Sequence, residues 1–331
     1  MQKLNMDLAP VIGYLHHAYL LSVAQEHADF EKWFVSNYIQ LRYYPETNWL
    51  NFYRLEAFET GIELCPLIDL QVVKSEMLKI NNINIEDLII NCIKQNCYVW
   101  IFIDEFYDPN RIAYKTTHVI HENFIYGVDP EEKCFYSAGF DLWQSYSFSK
   151  INFEDLKKAF YSVPYNLPVK MLNPNTKANY KFEIDNTKNL LYDYLNSQNT
   201  SLRNTMFKNS SGDCVYGMDI YEYLKKYFEG FLYKKGESDI RILHILWEHK
   251  KCMSIRIRYL FENNYLNRSG FSDFMDVFKP IENKALLTRN LQMKYNITHD
   301  SNIIKKIIRY IDEIYNEEAV ILNRILENII S

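Results

Sequence analysis

The spacing of apolar residues changes twice along the chain, and the changes divide it. Between Val11 and Ala24 the residues Ile12, Leu15, Tyr19 and Val23 recur at helical intervals, and a second helix is predicted around 30–40. The segment 85-IEDLIINCIKQN-96 keeps the same period. From Tyr98 the period shortens. An apolar, aromatic run over 98–106 has strand length, and further strands are predicted at 119–126, 134–138 and 145–148, with Asp129-Pro130 as a turn. The short helix 152-NFEDLKKAFYS-162 interrupts this strand-rich block of roughly 97–172, and Asn152 suits its N-cap.

Beyond about residue 185 the strand signal fades. Helices are predicted at 186–197, 217–230, 239–266, 270–295 and 301–329. In the last of these Ile304, Ile307, Ile311, Ile314, Ile321, Ile325 and Ile329 line one face, with Lys305, Lys306, Arg309 and Glu313 on the other. No internal repeat is visible. The polar stretches 173-NPNTKANYKFEIDN-186 and 198-QNTSLRNTMFKNSSGD-213 are the natural boundaries. The fold class expected is α+β: an N-terminal α+β domain over 1–175, then an all-helical domain over 185–331.

A length of 331 residues accommodates two domains. With 37 Lys and Arg against 42 Asp and Glu, the net charge of −5 offers no overall basic surface to nucleic acid. The six cysteines form no CxxC pair and show no zinc-site spacing, so reduced thiols are expected and no metal or cofactor. The apolar segment 9–24 is broken by Gly13 and His16-His17 and follows Asp7, which reads against a secretory leader. No run approaches the ~18 apolar residues of a spanning helix. The expectation is a cytoplasmic protein with no membrane partner.

Candidate chemistry concentrates in 118-HVIHENFIYGVDPEEKCFYSAGFD-141. Strand alternation places His121, Asn123 and Ile125 on one face and Ile120, Phe124 and Tyr126 on the other, with His118 falling in the second set. A strand-borne histidine oriented by a neighbouring carboxylate is a general base; the other reading is a pair of strand-end histidines bonded to backbone.

The pattern His-x-x-x-x-x-Gly-x-Asp, here His121, Gly127 and Asp129 before an apolar strand, resembles the histidine region of papain-like bacterial domains, including those that trim bacteriocin leaders. It resembles more closely the butirosin biosynthesis protein H family, over residues 1 to about 170. The segments 216–227 and 241–260 look like the C-terminal regions of relatives found beside nonribosomal peptide genes. The resemblance implies a papain-like N-terminal domain in natural-product assembly, moving an acyl or peptidyl group from a carrier protein to a small-molecule amine. His121 would be the base.

Two positions depart from that pattern. The family's nucleophilic cysteine stands at the head of the first helix, where 11-VIGYLHHAYLLSVA-24 offers Tyr14 or Leu15. Gly139 stands where the orienting acid belongs, with Asp141 as its nearest replacement. The expected catalytic set is therefore His121 and Asp141, with Tyr14, His16 and His17 lining the substrate cleft. Neighbouring helix residues project about 100° apart, so His16 and His17 are not expected to share a metal. Without the cysteine, the amine would attack the thioester directly. The alternative is a non-catalytic protein that recognises a carrier protein, a peptide or a pathway enzyme.

In the C-terminal half, His244, Glu248 and Cys252 share a helical face and read as a polar knot between helices, while His249 lies on an apolar line. Arg241, Lys250, Lys251, Arg256 and Arg258 read as a solvated face, or as a docking surface for an acidic partner.

Overall fold

The computed structural model describes residues 1–53, 65–203, 213–233, 236–267 and 277–330. In chain order the elements are β1 (Gln2–Lys3), α1 (Leu15–Ala24), α2 (Phe30–Asn37), β2 (Gln40–Tyr44), β3 (Trp49–Tyr53), β4 (Ile68–Lys74), α3 (Ser75–Ile80), α4 (Ile85–Lys94), β5 (Tyr98–Asp104), β6 (Ile120–Asp129), β7 (Cys134–Phe140), β8 (Tyr146–Asn152), α5 (Phe153–Tyr161) and β9 (Pro168–Pro174). They continue with α6 (Ile184–Leu195), β10 (Val215–Tyr216), α7 (Ile220–Tyr233), α8 (Ile240–Glu262), α9 (Lys279–Thr298) and α10 (Ser301–Asn328). Residues 270–276 of the helix predicted over 270–295, and 204–212 of the polar loop, lie outside the described residues. No helix among the described residues is long and apolar enough to cross a membrane.

The chain forms two compact units, Met1–Phe30 with Ile62–Asn179 and Glu31–Gly61 with Tyr180–Ser331. The first is built on an antiparallel sheet of order β4-β9-β5-β6-β7-β8, with β1 laid beside the far end of β6. Its two faces differ in chemistry. On one, Val99, Ile101 and Ile103 of β5 join Ile125 and Val128 of β6, Phe135 and Ile151; α4 covers them with Ile85, Ile89 and Ile93, and α5 with Leu156, Ala159 and Phe160. Each such side chain contributes roughly 1.5–3 kcal/mol when fully buried. Both helices start where a short polar side chain satisfies a free N–H: Asn84 accepts from Glu86, and Asn152 from Asp155.

The other face is aromatic and is covered by α1. Tyr19 stacks on Phe124 with ring centroids 4.7 Å apart, meets Trp100 edge-on at 5.3 Å, and donates its hydroxyl to the Ala138 carbonyl at 3.0 Å. Burial holds that phenol well above its usual pKa, so it remains a donor.

The second unit corrects the expectation of an all-helical C-terminal domain. Residues 40–53 belong to it and fold as the hairpin β2-β3, to which β10 adds antiparallel on the β2 side. These strands are buried on both faces for most of their length, so they lack the alternation that marks a half-exposed strand.

A second correction concerns α8. Lys250 and Arg256, read as a solvated or docking surface, are fully buried. Arg256 donates from Nε to the Val35 carbonyl at 2.7 Å and from Nη2 to the Tyr38 carbonyl at 2.6 Å, satisfying carbonyls at and beyond the C-terminus of α2. Lys250 donates to both oxygens of Glu318 on α10, at 2.6 and 2.7 Å, and Tyr194 and Tyr221 donate to the same carboxylate. His249 completes the chain of bonds: its Nδ1 accepts from Lys250 at 3.0 Å and its Nε2 donates to the Ile39 carbonyl at 2.7 Å. That pattern requires the neutral ring. Burial, reinforced by the adjacent Lys250 charge, holds His249 well below the ordinary histidine pKa. Of His244, Glu248 and Cys252, read as a polar knot between helices, His244 Nε2 and Glu248 Oε1 lie 3.2 Å apart within α8, and among the described residues His244 Nε2 has no hydrogen-bond partner.

Two outcomes follow for stability. Glu318→Ala strands a buried ammonium and is expected to cost about 3–5 kcal/mol in urea unfolding. For His249, the unfolded chain takes up a proton below its ordinary pKa of about 6.5 while the folded chain does not. Stability is thus present above that pH and lost as pH falls below it, by about 1.4 kcal/mol per pH unit. Relative to His249→Gln, wild type should lose stability between about pH 6.5 and 5; parallel pH profiles for the two proteins would contradict it.

Candidate functional site

His121 of β6 and His118, two residues before that strand, each rest on a different carboxylate: Glu105, just after β5, and Asp104, its last residue. Six residue pairs join these strands, from Val99 with Ile125 to Asp104 with Ile120. Directly after β5 the chain makes a 3-10 turn, Glu105–Tyr107, capped by Asp104, whose Oδ1 accepts from the Phe106 N–H at 3.1 Å. The Glu105 N–H closes the loop onto the Val119 carbonyl at 2.9 Å. Asp104, Glu105 and the returning histidines are thereby brought together. His121 Nδ1 lies 3.0 Å from Glu105 Oε1; the imidazole side chain is 39% exposed and the carboxylate 9%. His118 Nδ1 lies 2.6 Å from Asp104 Oδ2, and its ring stacks on Phe106 at 4.3 Å. A buried carboxylate on Nδ1 orients an imidazole and leaves Nε2 for a ligand, which is the geometry of a general base.

Register distinguishes His121 from its neighbour Glu122. His121 is paired with Ile103, and therefore shares the aliphatic face, whereas Glu122 is paired with Phe102 and shares the aromatic face with Trp100 and Phe124. Tyr19 of α1 covers that aromatic face, and the His121 ring stacks at 6.5 Å on Phe140, whose neighbour Tyr146 meets Tyr19.

Asp141 does not orient His121. Its Oδ1 accepts from the N–H groups of Trp143 at 2.8 Å and Ser145 at 3.0 Å, shaping the turn between β7 and β8. Glu105 takes the orienting role instead. Gly139 is small for a structural reason: a Cβ there would lie 2.5 Å from the guanidinium of Arg111. That buried arginine is ion-paired with Asp108 at 3.1 Å and donates to the Phe140 carbonyl at 2.6 Å, where the ladder between β6 and β7 has ended at Phe124 and Ala138. Two further motif residues are also structural. Gly127 lets β1 approach, since a Cβ would meet the Gln2 carbonyl at 2.8 Å. Asp129 accepts the N–H groups of Glu132 and Glu131, which hold its carboxyl below the usual range.

At the head of α1, Tyr14 stacks on His16 at 5.5 Å, and the rings of His16 and His17 are 4.2 Å apart. Of the three, His17 is completely buried, which removes it from the expected cleft lining; His16 is half-buried and Tyr14 nearly buried. The structure brings these three rings together, and His121 is not in that group. Among the described residues no three His, Cys, Asp or Glu side chains are placed to hold a metal, and no cysteine is a partner of His121. Cys92 and Cys97 face each other: the Cys97 hydrogen bond lowers the Cys92 thiol, and the Cys97 thiol is raised.

Sequence reasoning missed Asp104 and Glu105. Their signal is 98-YVWIFIDEF-106, in which two acids follow an otherwise apolar run one loop before two histidines. Comparison of the chain with protein-family models and with curated proteins returns no match.

The oriented dyad is checked by the hydrogen-bonded ring N–H resonance of His121. It should disappear in Glu105→Ala and persist in Asp141→Ala. The reverse result would return the orienting role to Asp141.

Proposed function

We propose that the first unit is a general-base acyl-transfer domain, of the kind its sequence resembles, that works without a nucleophilic cysteine. The observation that carries this reading is the half-exposed His121 held on the buried Glu105 at 3.0 Å. An amine nitrogen attacks the carbonyl of a thioester, the C–S bond breaks, and His121 Nε2 takes the amine proton and returns it to the leaving thiolate. No acyl-enzyme forms. The substrate class is an acyl or peptidyl group on a carrier protein, the acceptor is a small-molecule amine, and the context is natural-product assembly. Positioning and proton transfer together suffice to speed such an aminolysis.

A second reading is favoured by the head of α1. There Tyr14, His16 and His17 form a ring cluster in place of a thiol, and His121 is not a member of it. Such a domain would recognise a carrier protein, a peptide or a pathway enzyme and perform no chemistry.

Aminolysis of a panel of pantetheine thioesters by a panel of amines separates the two. Under the catalytic reading His121→Ala, folded by circular dichroism, loses about 10²–10⁴-fold in rate, and intact-protein mass spectra show no acyl adduct. Wild-type turnover that survives His121→Ala contradicts the base assignment, and an adduct on any cysteine contradicts the single displacement.

A further inference from the structure

The cap that ends α4 brings two thiols together. Asn96 takes the left-handed conformation, with φ of 58°. Its N–H donates to the Ile93 carbonyl at 3.1 Å, and the Cys97 N–H donates to the Cys92 carbonyl at 2.9 Å. Such a pair of bonds folds the chain back over the last turn of a helix, so that the side chains at the two outer positions meet. An apolar pair ordinarily fills those positions. Here they are Cys92 and Cys97, and the hydrogen bond between the thiols lowers the pKa of Cys92 and raises that of Cys97. With standard bond lengths on either side of the 2.9 Å backbone bond, the two Cα atoms lie within about 7 Å of each other, inside the reach of a disulfide.

The turn is also held from outside the cap. Gln2 Nε2 donates to the Ile93 carbonyl at 2.7 Å, and Asn173 Nδ2 donates to the Asn96 carbonyl at 2.9 Å. The backbone arrangement that a cross-link requires is therefore already in place with both thiols free. Cys92 and Cys97 are 8% and 7% exposed and flank the exposed turn 94–96, so the pair lies at the surface of the aliphatic core and not within it. Cys134 and Cys252 differ. Burial raises both of those thiols, Cys252 to about 12, and holds them in the unreactive protonated form.

We propose that Cys92 and Cys97 are a redox modification site, closed to a reversible disulfide by exchange with a low-molecular-weight disulfide. The Cys92 thiolate attacks one sulfur of the small disulfide and releases the first small thiol. The Cys97 thiol then attacks the Cys92 sulfur of the mixed disulfide and releases the second. One S–S bond is exchanged for another, two electrons pass to the small disulfide, and the two cysteine protons end on the two thiols released. The new bond fastens the end of α4 to the residue ahead of β5, the strand whose pairing with β6 sets His121 beside Glu105. It stands whether or not His121 catalyses acyl transfer.

Equilibration of the reduced whole protein with mixtures of oxidised and reduced glutathione, followed by alkylation and tryptic mass mapping, tests this. Lys94 lies between the two cysteines, so the disulfide joins peptide 80–94 to peptide 95–111. That cross-link should form ahead of any other cysteine pairing and reverse with reduced glutathione. Its equilibrium constant against glutathione should be at least about tenfold higher in the native protein than in urea, since the fold already holds the two residues together. In Cys97→Ser the small thiol should remain trapped on Cys92, and in Cys92→Ser Cys97 should stay unmodified. If the variants do not fold, the native and urea constants of wild type decide. A native constant no higher than that in urea, or cross-links to Cys134 or Cys252 in equal yield, overturns the proposal.

Discussion

The register between β5 and β6 is the constraint on which the first unit depends. Six residue pairs hold it, and Val99, Ile101, Ile103 and Ile125 pin it by placing their side chains under α4 and α5. Side chains alternate along a strand, so a slip of one residue would turn those aliphatic groups toward α1 and exchange His121 with Glu122. Both dyads would be lost with it. The irregularity in β6 falls between Ile125 and Gly127, beyond the paired stretch, and leaves the alternation at His121 intact. The histidine–carboxylate pairs at the strand end are thus positioned by apolar packing some residues away.

Buried cations fasten distant segments in both units. Arg111 takes the carbonyls of β7 where β6 no longer pairs with it, Arg256 takes those at and beyond the end of α2, and Lys250 with His249 links α8 to α10 and to Ile39. Each of these charges would cost several kcal/mol if left unpaired, and each is instead surrounded by acceptors. A fully hydrogen-bonded charge tolerates few alternative arrangements, so these contacts fix geometry more than they add stability.

Much of this was legible in the sequence. The helical periods placed α1, α4, α5 and the long C-terminal helices, and Asn152 was read correctly as an N-cap. The alternation of His121, Asn123 and Ile125 against Phe124 was legible as well, because β6 is half-exposed at its start. What failed to show was long-range. β2 and β3 are buried on both sides and carry no period-two signal, and Lys250 and Arg256 look like surface residues until Glu318 and the end of α2 are placed beside them. Glu105 was missed for the same reason: its partner is 16 residues away across a loop whose closure no local pattern announces. Asp141 was preferred on proximity along the strand, and the turn residues Trp143 and Ser145 claim it.

The central claim is that chemistry takes place at the His121–Glu105 dyad and not at the head of α1. A crystal structure with a non-hydrolysable thioester analogue tests it most directly. The account predicts the analogue's carbonyl carbon on the His121 side of β6, with Nε2 in hydrogen-bond reach of the position of the attacking nitrogen. An analogue seated instead against Tyr14 and His16, out of reach of His121, would contradict it.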